Sequence, residues 1–212
     1  MLFRSLTGLA FATEVLIGVP LAVWVVSRRG RLADRALLAA AGATSALPSF
    51  LVGLLLIYVF AFQLGWFPLG GSSSAGAFVL PVLRLGIPFG LVFARILRTS
   101  LLEQEREAYA TFARGLGERE WAIRIRHVLP NALVPLFAVL ALNVAELFSS
   151  VAVVEVVFSI PGLGADLVTG LRRLDTSLIV GVGLFAGGLV ALVNLIADVG
   201  VLAADPRTRA RA

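Results

Sequence analysis

Apolar residues run along this chain in long blocks, not in the alternation of a half-buried strand or the narrow stripe of a surface helix. The first block extends from about Leu6 to Val26, interrupted only by Glu14, and Arg28, Arg29, Arg31 and Arg35 follow it. The stretch from Ala36 to Leu83 carries no formal charge and is too long for one crossing. Its centre, Gly65 to Ser74 with Pro68, Gly70 and Gly71, reads as a turn. A bilayer core about 30 Å thick takes roughly 20 apolar residues as helix. The pattern therefore predicts five transmembrane helices, over about 6–26, 36–62, 77–96, 132–154 and 178–203, with a charged segment at 99–131 between the third and fourth. The expected fold class is all-α, a polytopic membrane helix bundle forming a single domain over residues 1–212.

Composition agrees. The chain is 59% hydrophobic and 15% charged, with a mean hydropathy of +0.96, whereas a soluble domain carries about 25% charged residues. Every one of its 18 basic residues is Arg. The absent Lys removes the phosphate loop of nucleotide-binding domains, so ATP chemistry has to come from another chain. The absent Cys removes disulfides, thiolate metal sites and a Cys nucleophile. The arginines lie between apolar blocks and not on one water-soluble face, which argues against a nucleic-acid partner. If the 28–35 loop, the 95–127 segment and the tail lie inside, they hold fourteen of the 18 Arg, leaving Arg4, Arg84, Arg172 and Arg173. By the positive-inside rule this predicts a multi-pass protein of the inner (plasma) membrane, N-terminus outside and C-terminus cytoplasmic, with Trp66 and Phe67 at the outer interface. The competing reading of residues 1–26 as a cleaved signal peptide meets a run too long for it and no small-residue cleavage site.

The 99–131 segment reads as helix. Ser100 with Glu103 has capping-box spacing. Leu101, Ala108, Tyr109, Phe112 and Leu116 recur at helical spacing opposite Glu103, Arg106 and Arg114. Gly115 and Gly117 are expected to stop the helix, and a second one, Glu118 to Val128, to run up to Leu129, Pro130 and Asn131. On physics alone such a segment is equally a charged loop resting on the membrane surface.

The stretch from Tyr109 through Gly117 to Arg126-His-Val-Leu-Pro-Asn-Ala-Leu-Val-Pro135 resembles the cytoplasmic EAA loop of ABC-importer permeases, of the binding-protein-dependent dipeptide/oligopeptide/nickel branch. Three more stretches are similar to that family, in order: Ser45-Ala-Leu-Pro-Ser-Phe-Leu-Val-Gly-Leu with Gln63-Leu-Gly-Trp-Phe-Pro68, then Val153-Val-Glu-Val-Val-Phe-Ser-Ile-Pro-Gly-Leu-Gly164, and the terminal Asp205-Pro-Arg207. Aligned on Gly117, Thr111, Phe112 and Ala113 stand where the family has Glu-Ala-Ala. Family members usually have six spans and an outer domain after the first, and this chain matches from the second span onward. That leaves a mis-called start, a truncated chain or a dispensable helix.

The resemblance implies a permease subunit forming the path for peptides, with no catalytic residues, cofactor or metal of its own. The implied partners are a second homologous permease, two ATPase subunits, an extracytoplasmic substrate-binding protein and the lipid membrane. Tyr109, Thr111, Phe112, Ala113, Arg114, Gly117, Leu129, Pro130 and Asn131 would form the ATPase-coupling loop.

Ionisable groups at membrane depth are expensive, which makes Glu14, Arg84, Glu146 and Asp198 candidates for function. Arg84 and Glu146 could pair, or contact the charged termini of a peptide on a substrate path; Glu14 is the weaker candidate there, and Arg84 could instead snorkel to the interface. Asp198, about one helical turn before the inner end, reads as a structural partner for a residue such as Arg. Pro161, Gly162 and Gly164 form an outer turn that could meet the binding protein. Pro48, Pro81, Pro88 and Pro135 could kink helices, while Gly86/Gly90 and Gly183/Gly187 fit the small-xxx-small packing pattern. His127, alone, argues against a metal site. Two alternatives remain: a non-transporting truncated remnant, and an intramembrane enzyme, for which no catalytic constellation is visible.

Overall fold

The structure, a computed structural model, describes residues 2–28, 30–134 and 136–204 and is helical throughout its regular elements. Pro135, the side chain of Asp198 and the 205–212 tail lie outside the described residues. Helix α1 covers Leu2–Val26. Helices α2 (Leu32–Ala46) and α3 (Ser49–Leu56, running into a π-helical turn over Ile57–Gln63) follow. A single 3₁₀ turn leads into α4, Val79–Gln104. The charged segment forms α5 (Ala108–Gly115), α6 (Glu120–Ile123), a π turn over Arg124–Val128 and α7 (Leu129–Leu133). Helices α8 (Leu136–Val157), α9 (Leu163–Arg173) and α10 (Thr176–Ala204) complete the chain.

Among the described residues, Leu6–Val26 and Ala75–Gln104 are long and apolar enough to cross a membrane as single rods. The second predicted span, 36–62, is not one rod. Its two halves meet at 104°, because Pro48 forces Leu47 into extended backbone (φ −89°, ψ 133°) and takes an amide from the helical ladder. Helices α8 and α10 occupy the places of the fourth and fifth predicted spans. The short apolar helix found in α10 is Thr176–Leu192.

Helices α1 and α4 lie side by side, and their seam is set by residues without side chains. A methyl group on Gly86 would sit 2.5 Å from Thr13 Cγ2, and one on Gly18 would sit 2.6 Å from Phe93 Cδ1 and 3.0 Å from the Gly90 carbonyl. The Gly86/Gly90 pattern is thus a packing face. Gly183 and Gly187 have open space around them, so that pattern is not used among the described residues. Pro88 sits within α4 without ending it.

Two apolar clusters flank the seam. One joins Ala22, Val25 and Val26 of α1 to Phe93, Leu97 and Leu101 of α4 and to Ala110, Ala113, Ile123 and Val128 of the charged segment. The other joins Leu6 and Ala10 of α1 to Leu80, Leu85 and Phe89 of α4 and to Leu147, Val151 and Val154 of α8. Outside them the bundle is apolar too, with Leu16, Phe50, Leu54, Phe62, Leu184 and Phe185 exposed, a surface suited to lipid or to neighbouring helices.

Filling the seam is expected to be costly. Gly86→Leu should destabilise the chain by about 1–3 kcal/mol through overpacking, read as a lower melting temperature of the detergent-solubilised chain, while Gly183→Leu should leave it unchanged.

Candidate functional site

At the arginine-rich end, α4 runs on past the apolar region to Gln104, and the chain turns at Glu105–Glu107 into α5. The capping box expected at Ser100 and Glu103 does not form. Ser100 is buried inside α4 and its hydroxyl donates to the Ala132 carbonyl at 2.9 Å, tying α4 to α7, while Glu103 faces solvent. Helix α4 runs unbroken through Ser100 to Gln104, so no orphan amide is present there to be capped.

Gly117 does end α5. It takes φ +79°, its amide donates to the Arg114 carbonyl at 3.0 Å, and the Glu118 amide donates to Ala113 at 3.2 Å, the paired bonds of a Schellman closure. Gly115 is simply the last residue of α5 and is not in the left-handed region.

The expected stripe divides between two faces. Ala110 and Ala113 are buried in the first apolar cluster, and Tyr109 is half-buried, its hydroxyl donating to Gln104 Oε1 at 2.8 Å. Burial, then the Glu107 carboxylate, push the Tyr109 phenol up. Phe112 and Leu116 point outward, 69% and 67% exposed, and Thr111 is exposed beside them. Trp121, 62% exposed, is a third large apolar side chain on the same segment that the sequence pattern did not single out, because α6 is too short to show periodicity.

Beside these side chains lies a network of ion pairs. Arg114 Nε donates to Glu120 Oε1 at 2.8 Å and its Nη1 to the Glu105 carbonyl at 3.0 Å. The Glu120 bond raises the Arg114 pKa, and that same bond lowers the Glu120 pKa. Arg124 Nε donates to Glu105 Oε1 at 2.8 Å, and its Nη1 to Ser27 Oγ after α1 at 2.7 Å. Arg98 of α4 grips Asp34 of α2 with two nitrogens, the Nη2 bond measuring 2.8 Å. Arg114 therefore clamps the segment to itself. Leu129 is half-buried, Pro130 and Asn131 are exposed, and Asn131 Nδ2 donates to the His127 carbonyl at 2.6 Å. His127 approaches Glu118 at 3.2 Å.

Within the bundle, Arg84 and Glu146 line one cavity of about 220 Å³ with Thr44, Ser49, Phe89 and Ser150. Arg84 does not snorkel. It is 5% exposed and its Nε donates to the Ser49 carbonyl at 3.0 Å. Among the described residues it forms no ion pair with Glu146. Glu14 is buried on α1 against Gly90 of α4 and is not part of this lining.

The turn after α8 is built around a carboxylate that the sequence reading passed over. Glu155 is buried, and its Oε2 accepts the Gly164 amide at 2.7 Å, capping the positive N-terminus of α9. Methyl groups on Gly162 and Gly164 would meet Glu155 Oε1 at 2.0 Å and Ala152 Cα at 2.3 Å. Gly164 is therefore buried, and of the three expected outer-turn residues only Pro161 is exposed. The signal was present in the Glu155-to-Gly164 stretch, but an acid at a helix end reads as surface until its partner is known.

A family model described as "Binding-protein-dependent transport system inner membrane component" matches residues 15–210. The chain is 33% identical over 213 residues to the probable peptide ABC transporter permease protein y4tP of Sinorhizobium fredii, covering 97% of this chain and 68% of that one. It is 34% identical over 210 residues to the glutathione transport system permease protein GsiC of Escherichia coli (strain K12), covering 98% of this chain and 67% of that one. It thus spans about two thirds of the length of these relatives. A solved structure of the MetNI methionine ABC transporter, described as inward facing, superposes with a TM-score of 0.76 at 20% identity, over 96% of this chain and 93% of that chain. At that identity the likeness is one of fold.

Two outcomes follow from the geometry. Arg98→Ala removes the bidentate partner of the buried Asp34 and should cost about 3 kcal/mol, lowering the melting temperature in detergent, with Asp34→Asn/Arg98→Gln restoring most of it. The Arg114–Glu120 clamp, which lowers the Glu120 pKa, stabilises the segment above the ordinary Glu value. It should be lost as pH falls through the lowered one, measured as faster amide exchange in residues 108–123.

Proposed function

Because the chain belongs to the family of binding-protein-dependent transport system inner membrane components, we propose that it is a permease subunit of an ATP-binding-cassette importer, carrying peptides. Its partners are then a second homologous permease, two ATPase subunits and an extracytoplasmic binding protein. ATP is hydrolysed on the ATPase subunits. The relatives named for peptide and glutathione transport favour this substrate class.

Five membrane crossings, an outer N-terminus and a cytoplasmic C-terminus complete the reading, on the strength of the arginine distribution. The α5 segment is the coupling element, a role supported chiefly by one observation. Phe112, Leu116 and Trp121 are exposed on a segment whose base is held to α1, α4 and α7 by Ser27, Glu105, Arg124 and Ser100. Apolar anchors on a short helix dock into grooves, and a firmly tied base transmits displacement where a loose loop would absorb it. In this role Phe112 and Thr111 lie at the contact, Tyr109, Ala113 and Arg114 hold the helix to its base, and Gly117 sets the turn. Leu129, Pro130 and Asn131 join it to α8. Pro161 remains the exposed point of the outer turn for a binding protein, with Gly162 and Gly164 shaping the turn beneath it.

The test is affinity purification of the tagged chain in mild detergent with its partners co-expressed. Wild-type chain should bring down a second permease and an ATPase. Phe112→Asp/Leu116→Asp should reduce ATPase recovery at least roughly tenfold, as expected for loss of central apolar anchors, with the amount of chain in the membrane unchanged. Gly117→Ile, which forces a β-branched residue to positive φ, should leave membrane insertion intact and abolish uptake. Recovery of the chain alone would refute the importer reading.

A further inference from the structure

We propose that the cavity at the break of the second span is a carboxylate-binding subsite on the transport route, in which Arg84 and the N-terminus of α3 receive the free C-terminal carboxylate of a passing peptide. The inference rests on the importer reading above and names the chemistry of one station within it.

Three observations converge there. The first is the break itself. Backbone that leaves the helical ladder at membrane depth is tolerated where it lines a cavity, and the 104° bend between α2 and α3 delivers Thr44 and Ser49 to the same cavity. The second is polarity. Helix α3 begins at Ser49, so its first amides and the positive end of its dipole lie at this lining, the arrangement by which interrupted helices meet anionic groups.

The third observation is Arg84. A guanidinium that is 5% exposed carries a large desolvation cost unless its charge is matched. Its Nε is spent on the Ser49 carbonyl, a neutral partner, and its two terminal nitrogens have no partner among the described residues. They belong to a side chain that lines the cavity, and a planar pair of N–H donors fits a carboxylate in two parallel bonds.

Glu146 lines the same space without pairing to Arg84, so the lining carries both signs, held apart. That suits a zwitterion. Thr44, Ser49 and Ser150 add neutral polar residues to the lining, the Thr44 hydroxyl donating to the Ala41 carbonyl at 2.8 Å. The cavity's volume is about 220 Å³, which leaves most of a longer peptide outside it. It is a place a substrate end passes through, which leaves selection of the side chains elsewhere.

The experiment uses the complete transporter, this chain with its partner permease, ATPase subunits and binding protein, in cells with no other dipeptide uptake, and radiolabelled dialanine as probe. The binding protein sets the half-saturating concentration, so a station inside the membrane shows in the maximal rate. Arg84→Gln should lower the maximal uptake rate about tenfold or more, as expected for losing charged hydrogen bonds, with the half-saturating concentration and ATPase co-purification unchanged. Arg84→Lys, which keeps the charge but not the paired donors, should recover part of the rate that Arg84→Gln loses, and Glu146→Gln should lower it several-fold. Wild-type maximal uptake by Arg84→Gln would overturn the subsite while leaving the importer intact. Equal loss in the Gln and Lys variants, with less ATPase recovered, would overturn it in favour of a purely structural bond to Ser49. Wild-type complexes that hydrolyse ATP but take up no dialanine would overturn the peptide reading and the subsite together.

Discussion

The approach of α1 to α4 is the constraint on which the rest of the structure depends. Gly18, Gly86 and Gly90 let the two backbones come together, and without a hydrophobic force between helices in lipid such close contact supplies much of the attraction. Both apolar clusters are organised along this pair, one toward each end. Helix α4 then serves three places at once. Its first half offers Arg84 to the cavity, its middle forms the seam, and its last turns carry Arg98 and Ser100 into the joints that hold α2 and α7.

Buried polar groups are spent sparingly, and three of them fasten one element to another. Asp34 ties the first loop to α4, Ser100 ties α4 to the returning segment, and Glu155 holds the turn between α8 and α9. In each case the partner comes from another element, so the bond fixes how two helices lie together. Arg84 differs: a neutral carbonyl takes one of its donors and the cavity receives the rest of the side chain. The contrast separates polar groups that join helices from a buried one that lines open space within the bundle.

Much of this was legible in one dimension. Long apolar blocks marked the helices, and Gly117 marked the end of α5, since a helix followed by Gly at that position closes through positive φ. The resemblance located the family along the whole chain. The misreadings share a cause. Ser100 and Glu103 had capping spacing, yet Ser100 found a carbonyl 32 residues away. Gly162 and Gly164 looked like an exposed turn and proved to be the room made for Glu155 and Ala152.

The sequence by itself determined the long apolar helices, the membrane class and the family, though not the break at Pro48 or helix α9, because hydrophobic block length, turn residues and charge bias are local quantities that each segment carries alone. Only the tertiary structure decided which polar groups meet: Arg84 with Ser49, Arg124 with Ser27 and Glu105, Glu155 with Gly164. It also decided which apolar residues of α5 are buried and which remain outside. Those outcomes depend on which neighbour a side chain faces, and for residues far apart in the chain that is set by how the helices pack.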